Sequence, residues 1–133
     1  MESSIIQLSK FRFEKAIHSL ETSMKLYEDG EYEFALNRMY YSIFDAIRAI
    51  TALDGFDSSK HSGIISYFNL NYVKTGLFNQ DTAKIIKKAL TLREKSDYED
   101  FFSTTKEETK ETLDQVIPFI DEVKHYLISK GII

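Results

Sequence analysis

Apolar residues between Glu31 and Leu53 recur at three- and four-residue steps and form two stripes along a helix. The segment contains neither glycine nor proline, which favours one uninterrupted helix. Because each stripe needs a neighbour to cover it, we predict a central helix that contacts more than one other element of a bundle. The stripes are Tyr32, Ala35, Met39, Ile43, Ala46, Ile50 and Leu53, and Phe34, Tyr41, Phe44 and Ile47.

The same kind of periodicity predicts three more long helices, each with recognisable end signals. Gly30 ends the first, because glycine is the usual residue just past a helix. Asp81 is a suitable cap for the helix that follows the central one. Pro118 lies inside the last helix and should kink it or split it in two. The three helices span residues 4–28, 81–98, and 104 or 105 to 129.

Residues 54–80 contain several turn-forming residues and one short helix. Asp54-Gly55 ends the central helix, and Ser58 or Ser59 can cap the short one. Gly76 marks a turn before the next long helix. The apolar residues of the short helix are Ile64, Ile65, Phe68 and Tyr72. These features together predict an all-α, up-and-down four-helix bundle with an additional short helix, in a single domain spanning residues 1–133.

Composition agrees with a globular, helix-rich chain. Hydrophobic residues make up 43% and charged residues 29%, with one proline and five glycines. Cysteine is absent, which excludes disulfides and thiolate chemistry. No signal-peptide pattern begins the chain and no apolar run approaches the ~20 residues of a bilayer span, so we expect a cytoplasmic protein that does not contact membranes. A net charge of −4 disfavours a broad nucleic-acid surface but allows a small basic cleft.

Two pairs of polar residues interrupt the apolar helix faces. Arg93 lies beside the apolar stripe of its helix, with Asp97 one turn later. They form either half of a polar cleft or an ion pair that only fixes packing, and the residues alone favour the second interpretation. Asn37 has mostly aromatic helical neighbours, so we expect it to be at least half buried and hydrogen-bonded. With Arg38 it would orient a substrate or a partner's backbone, although a core amide bonded to the neighbouring helix, with Arg38 solvated, is the simpler interpretation.

The histidines and lysines give weaker signals. The three histidines have no metal-ligand spacing, so we predict neither a metal site nor a cofactor. His61, in the sequence SSKHSG, is the functional candidate among them, and a solvated histidine near a helix start is the simpler interpretation. A lysine stripe on the helix after Asp81 is typical of a solvated face. Its members are Lys84, Lys87, Lys88 and Lys95.

Four fragments of the chain resemble the HEPN domain family in their order and spacing. They read ALNRMYYSIFDAIRAI, KHSGIISYF, VKTGLF and LREKSDYED. The resemblance extends from about Glu31 to Tyr126. Its most specific part is Asn-Arg-x-x-Tyr on the central helix combined with Arg-x-x-x-Asp-Tyr on a later one. The family fold is an all-α up-and-down bundle, in agreement with the helices predicted above.

The resemblance also implies partners and a chemistry. HEPN proteins commonly form homodimers with a polar cleft between protomers, and many pair with a minimal nucleotidyltransferase as a toxin–antitoxin system. Ribonuclease members carry an arginine and a histidine that are separated by four to six residues. That arginine stabilises charge on the scissile phosphate and the histidine performs acid–base work, without a metal.

The motif of the ribonuclease members is incomplete in this chain. Arg93 matches the arginine, but Tyr98, Glu99 and Asp100 occupy the positions of the histidine. A tyrosine with a pKa near 10 is a poor base at neutral pH. The resemblance therefore implies membership of the branch whose ribonuclease motif is incomplete.

Three functions stay open on the sequence. The leading one is a non-catalytic homodimeric subunit that binds a nucleotide or RNA and partners a minimal nucleotidyltransferase in a toxin–antitoxin system. The first alternative is a metal-independent endoribonuclease toxin, with Arg93 and Tyr98 as its catalytic residues. The second is a helical dimerisation module without a ligand. The expected ligand-binding residues are Asn37, Arg38, Tyr41, His61, Arg93, Asp97 and Tyr98.

Overall fold

The computed structural model describes residues 3–133, which form five α-helices and no strand. The predicted all-α bundle of four long helices and one short helix is confirmed. The last residue of α3 leads directly into one π-helical turn, Asn69–Val73. The helices are α1 (Ser4–Glu28), α2 (Tyr32–Leu53), α3 (His61–Phe68), α4 (Thr82–Tyr98) and α5 (Lys106–Ser129).

Helix α2 is the centre of the bundle and contacts α1, α3, α4 and α5. Most residues of its two apolar stripes are buried, as the periodicity predicts. Ile43 and Ile47 are fully buried, and burying an aliphatic side chain of this size contributes roughly 1.5–3 kcal/mol. A polar strip runs along α2 at helical spacing and consists of Asn37, Arg38, Asp45 and Arg48.

Helices α1 and α2 form an antiparallel hairpin. Gly30 has a φ of 79°, a left-handed conformation that glycine adopts without steric cost. Along the hairpin, the Ser9 hydroxyl donates to the Ala49 carbonyl at 2.6 Å and the Ser42 hydroxyl donates to the Ala16 carbonyl at 2.8 Å. These bonds satisfy two buried hydroxyls and fix the register of the hairpin.

Of the two effects expected of Pro118, a kink or a split, the split does not occur, and the short helix does not use the expected serine cap. Pro118 does not split α5, which runs unbroken from Lys106 to Ser129. Proline has no N–H to donate to the carbonyl of Asp114, and Asp114 is an exposed residue, so that carbonyl is not trapped in the core. Helix α3 begins after Lys60 and has no side-chain cap, whereas Ser58 accepts a hydrogen bond from the Lys60 N–H at 3.2 Å.

Asp54, directly after α2, fixes α3 and the π-helical turn against the end of the central helix. Its Oδ2 accepts hydrogen bonds from the Tyr67 hydroxyl at 3.1 Å and the Tyr72 hydroxyl at 2.6 Å. Burial and the bond to Asp54 raise the pKa of Tyr72, so its hydroxyl stays a donor. These contacts determine where the first residue of α3 lies beside α2. No helix within residues 3–133 has both the length and the apolar character needed to cross a bilayer.

Candidate functional site

Arg93 of α4 extends its guanidinium over two aromatic rings of α2. Its Cζ lies 5.3 Å from the ring centroid of Tyr40 and 5.3 Å from that of Tyr41, within the range of a cation–π interaction. Nη2 donates a hydrogen bond to the Tyr41 hydroxyl at 3.1 Å. The side chain is only 18% exposed, so α2 and α4 hold the charge in one place.

Asp97 forms the ion pair with Arg93 that the sequence predicts. Nε of Arg93 lies 2.9 Å from Oδ2 of Asp97. The N–H of Nε does not point at that oxygen, however, and the buried nitrogen has no hydrogen-bond partner within residues 3–133. The contact is therefore electrostatic, and it holds the guanidinium from one side while Tyr41 holds it from the other.

Asn37 and Arg38 bond to each other beside Tyr41. Oδ1 of Asn37 accepts hydrogen bonds from Nε of Arg38 at 3.0 Å and from Nη2 at 2.8 Å. The expected burial of Asn37 is confirmed, but its partner is the next residue and not a neighbouring helix. Cζ of Arg38 lies 5.0 Å from the Tyr41 ring centroid. Tyr41 therefore contacts two guanidiniums, one from its own helix and one from α4.

His61, the first residue of α3, packs on the same part of α2. Its Nδ1 lies 2.8 Å from the Tyr40 hydroxyl, and its ring stacks on Phe44 with centroids 3.9 Å apart. Tyr40 is fully buried, and burial raises the pKa of Tyr40 to about 12, so the hydroxyl keeps its proton. A buried hydroxyl needs an acceptor for that hydrogen, which assigns Nδ1 as the acceptor and places the imidazole hydrogen on Nε2.

Burial and nearby positive charge keep His61 neutral. Burial lowers the pKa of His61 below its usual value, and the charges of Arg93 and Arg48 lower it further. Asp45 acts in the opposite direction but is outweighed. At pH 7 the imidazole is therefore a neutral hydrogen-bond donor and not a cation.

Every arginine of the chain lies along this polar strip of α2, and we call the four together the arginine cluster. Nη1 of Arg12 donates to the Arg48 carbonyl at 3.2 Å, and both side chains approach Asp57, at 4.0 and 3.6 Å. Arginine presents a planar set of donors that fits phosphate and stacks on aromatic rings, which lysine does not. The members of the arginine cluster are Arg12, Arg38, Arg48 and Arg93.

Asp45 is a buried carboxylate beside the arginine cluster, and it is only 8% exposed. Burial raises the pKa of Asp45 above its ordinary value. Four basic side chains oppose that shift without cancelling it. They are, in decreasing order of effect, Lys15, Arg48, Arg38 and Arg12.

Tyr98 lies apart from the other predicted site residues. It is 75% exposed at the end of α4, and Phe101 in the following loop is 99% exposed. Phe34, near the start of α2, is 65% exposed. The lysine stripe of α4 is largely solvated, as predicted, with Lys88 paired to Glu111 at 3.3 Å. Among residues 3–133 there is no cluster of His, Asp and Glu that could hold a metal ion.

The structure thus brings together most of the predicted site residues and adds others. The additions from α2 are Tyr40, Asp45 and Arg48, and the last two follow Tyr41 by four and seven positions, on one helical face. That spacing was a usable signal. Arg12 is different, because only the packing of α1 on α2 brings it to the cluster.

Residues 9–126 match the family model of the HEPN domain, and the chain belongs to this family. It is 35% identical over 120 residues to the Methanocaldococcus jannaschii protein named "Putative toxin MJ0142", an alignment that covers 90% of this chain and 82% of that protein. It is 32% identical over 118 residues to "Putative toxin MJ0605" of the same organism, covering 86% and 84%. A UPF0332 protein of Thermotoga maritima is 28% identical over 110 residues, covering 83% of each chain.

Proposed function

We propose that this chain is the HEPN subunit of a toxin–antitoxin pair and that it binds the phosphate of a nucleotide or RNA at Arg93. The observation that carries the proposal is the state of Arg93, which is mostly buried against Tyr40 and Tyr41 and ion-paired with Asp97. A guanidinium held in one orientation loses little freedom when it binds an anion. Two relatives whose names contain the word toxin support the biological setting.

Binding accounts for the site better than catalysis with the family motif does. The positions five to seven residues beyond Arg93 hold Tyr98, Glu99 and Asp100 in place of histidine. Tyr98 projects into solvent, and a phenol is a weak base at neutral pH. An arginine without the motif's acid–base partner still attracts phosphate, so the chain is a non-catalytic binding subunit.

The proposed ligand binding is tested with a labelled single-stranded RNA and with ATP. Arg93→Ala should weaken binding of the responsive ligand about tenfold or more, as expected for a lost charge-assisted hydrogen bond. Lys95→Ala is the matched control, because it removes one charge from an exposed position of the same helix. Equal affinities for the two variants would refute the role of Arg93. RNA that stays intact in EDTA is expected of a non-catalytic subunit, and cleavage that Arg93→Ala abolishes would favour the endoribonuclease instead.

We also propose that the chain forms a homodimer through the exposed aromatic patch of Phe34, Tyr98 and Phe101. The Ser96 hydroxyl donates to the Glu33 carbonyl at 3.3 Å and brings the ends of α2 and α4 together. Exposed apolar patches of this kind mark interaction surfaces. In a two-fold dimer the second copy would cover this patch with its own Phe34, Tyr98 and Phe101.

Light scattering after size-exclusion chromatography tests the homodimer. Wild type should elute as a dimer and Phe101→Ser should shift it towards monomer. Phe11→Ser is the control, since Phe11 is 59% exposed on α1, and this variant should stay dimeric. A monomeric wild type rejects the homodimer, and a monomeric Phe11→Ser places the contact on α1.

A minimal nucleotidyltransferase is the proposed partner of this subunit. The support is the family membership of residues 9–126. Co-expression of the chain with a nucleotidyltransferase encoded beside its gene should give a complex that survives affinity purification. Separate elution of the two proteins would exclude a stable pair.

A further inference from the structure

We propose that His61 is a second anchor of the phosphate that Arg93 binds, and that Tyr40 is a positioning residue that keeps the Nε2 hydrogen of His61 directed at that phosphate. The inference rests on the proposed function, because both residues act on the same ligand. His61 lies outside the arginine–histidine motif of the ribonuclease members and comes from another helix, α3.

The positions of His61 and Arg93 around the tyrosine pair support a shared ligand. The Tyr40 ring centroid lies 5.3 Å from Cζ of Arg93 and 6.0 Å from the His61 ring. The Tyr41 ring centroid lies 5.3 Å and 6.2 Å from the same two groups. Donors from α3 and α4 thus flank the same two rings, and a phosphate accepts several hydrogen bonds at once.

The surroundings of His61 determine which nitrogen meets the ligand. Nδ1 is bonded at 2.8 Å to the fully buried Tyr40 hydroxyl, and the ring plane is held by its stack on Phe44. The residue as a whole is exposed and Nδ1 is occupied by Tyr40, so Nε2 is the ring nitrogen left for a ligand. A neutral imidazole with Nδ1 as acceptor carries its hydrogen on Nε2, which gives a fixed donor at the edge of the site.

The charged groups around His61 predict a pH dependence of binding. Arg93 from α4 and Arg48 from α2 oppose its protonation, Asp45 from α2 favours it, and the hydroxyls of Tyr40 and Tyr41 are uncharged. A bound phosphate adds negative charge and raises the pKa of His61. Affinity should therefore increase as pH falls from about 7.5 to 5.5, because the ligated histidine takes up a proton at Nδ1. Nδ1 then donates to the Tyr40 hydroxyl oxygen instead of accepting from it, so the contact between the two side chains is kept.

The experiment measures the dissociation constants of ATP and of a single-stranded RNA without a terminal phosphate, at both pH values. The probe whose binding depends on Arg93 identifies the phosphate source. His61→Phe, which retains the stack on Phe44, should weaken binding about tenfold at neutral pH and abolish the pH dependence. His61→Gln should restore part of the affinity but no pH dependence. Tyr40→Phe should weaken binding at neutral pH and leave a pH dependence.

Arg93→Ala separates the two proposals. If this variant binds both probes as wild type does, the proposed function fails. If it loses binding while His61→Phe matches wild type at both pH values, only the inference about His61 fails. Thermal unfolding of His61→Phe is measured first, because Tyr40 loses its acceptor. If that variant does not fold, His61→Gln decides, since its amide oxygen still accepts from Tyr40. If the affinity of His61→Gln then does not change with pH, the inference is supported. If its affinity changes with pH as that of wild type does, the inference is overturned.

Discussion

Asp45 shows how a single buried residue shapes the arginine cluster. It lies one turn after Tyr41 on α2 and is largely removed from water. The net direction of its pKa shift is upward, so burial outweighs the attraction of the surrounding cations. An ionised group that destabilises the fold at neutral pH suits a binding site better than a purely structural role.

Replacing Asp45 by asparagine should stabilise the protein at neutral pH. Because burial raises the pKa of Asp45 in the folded state above its ordinary value, its stabilising contribution is present below that ordinary value and is lost as pH rises through the raised pKa. Asp45→Asn imitates the protonated form. We expect a higher melting temperature than wild type at pH 7, and a difference that shrinks towards pH 4. Asp114→Asn, at an exposed position, serves as control. A lower melting temperature at pH 7 would mean that attraction by the arginines dominates.

Replacing Asn37 by leucine should cost little stability. Both hydrogen bonds of its Oδ1 come from Arg38, which is partly exposed and would be rehydrated in the variant. We expect a loss of about 0.5–1.5 kcal/mol in urea-induced unfolding. Asn37→Asp retains the acceptor and should unfold close to wild type. A loss above about 3 kcal/mol would show that a fully buried group depends on Asn37.

At the scale of elements, periodicity predicts the long helices well and the connection between α2 and α4 less well. Each long helix buries one continuous stripe, and that stripe is visible in the residue order. The π-helical turn Asn69–Val73 is not visible in the residue order, because its hydrogen bonds depend on how Tyr72 packs and bonds to Asp54. The start of α3 at His61 likewise depends on contacts with α2.

Gly63, in the first turn of α3, should not tolerate a side chain. A Cβ at this position would lie 2.6 Å from Oγ and 3.1 Å from Cβ of Ser58, and Ser58 accepts the Lys60 N–H. Gly63→Ala should therefore shift Ser58, lower stability by about 1 kcal/mol and weaken ligand binding through His61. Ser58→Gly combined with Gly63→Ala removes the clash. The double variant then lacks only the hydrogen bond from the Lys60 N–H to Ser58. If the melting temperature of Gly63→Ala alone is equal to or above that of wild type, the loop accommodates the methyl group without a loss of stability.

At the scale of the whole molecule, the site results from the packing of three helices on α2. The pairs Arg93–Asp97 and Asn37–Arg38 are predictable because each lies on one helix. Contacts between helices are not predictable in this way. Periodicity shows which face of a helix is apolar, but not which residues of α1 or α3 pack against that face. The loop sequence around His61 makes this histidine a functional candidate. Its hydrogen bond to Tyr40 forms only in the folded chain and is not visible in the sequence.

The location of positive charge, and not its total, should control binding in this chain of net charge −4. Arg48→Ala with Arg93→Ala and Lys84→Ala with Lys87→Ala each remove two positive charges. Charges separated by more than about 8–10 Å are largely screened at physiological salt. The arginine double variant should therefore lower RNA affinity about 100-fold and the lysine double variant only a few-fold.

The salt dependence of binding gives a second measurement. The slope of log affinity against log salt should become shallower by about 1.4 in the arginine double variant, since each single-strand phosphate contact contributes about 0.7. Equal losses in the two variants would show that RNA responds to the overall charge and that the arginine cluster is not its binding site.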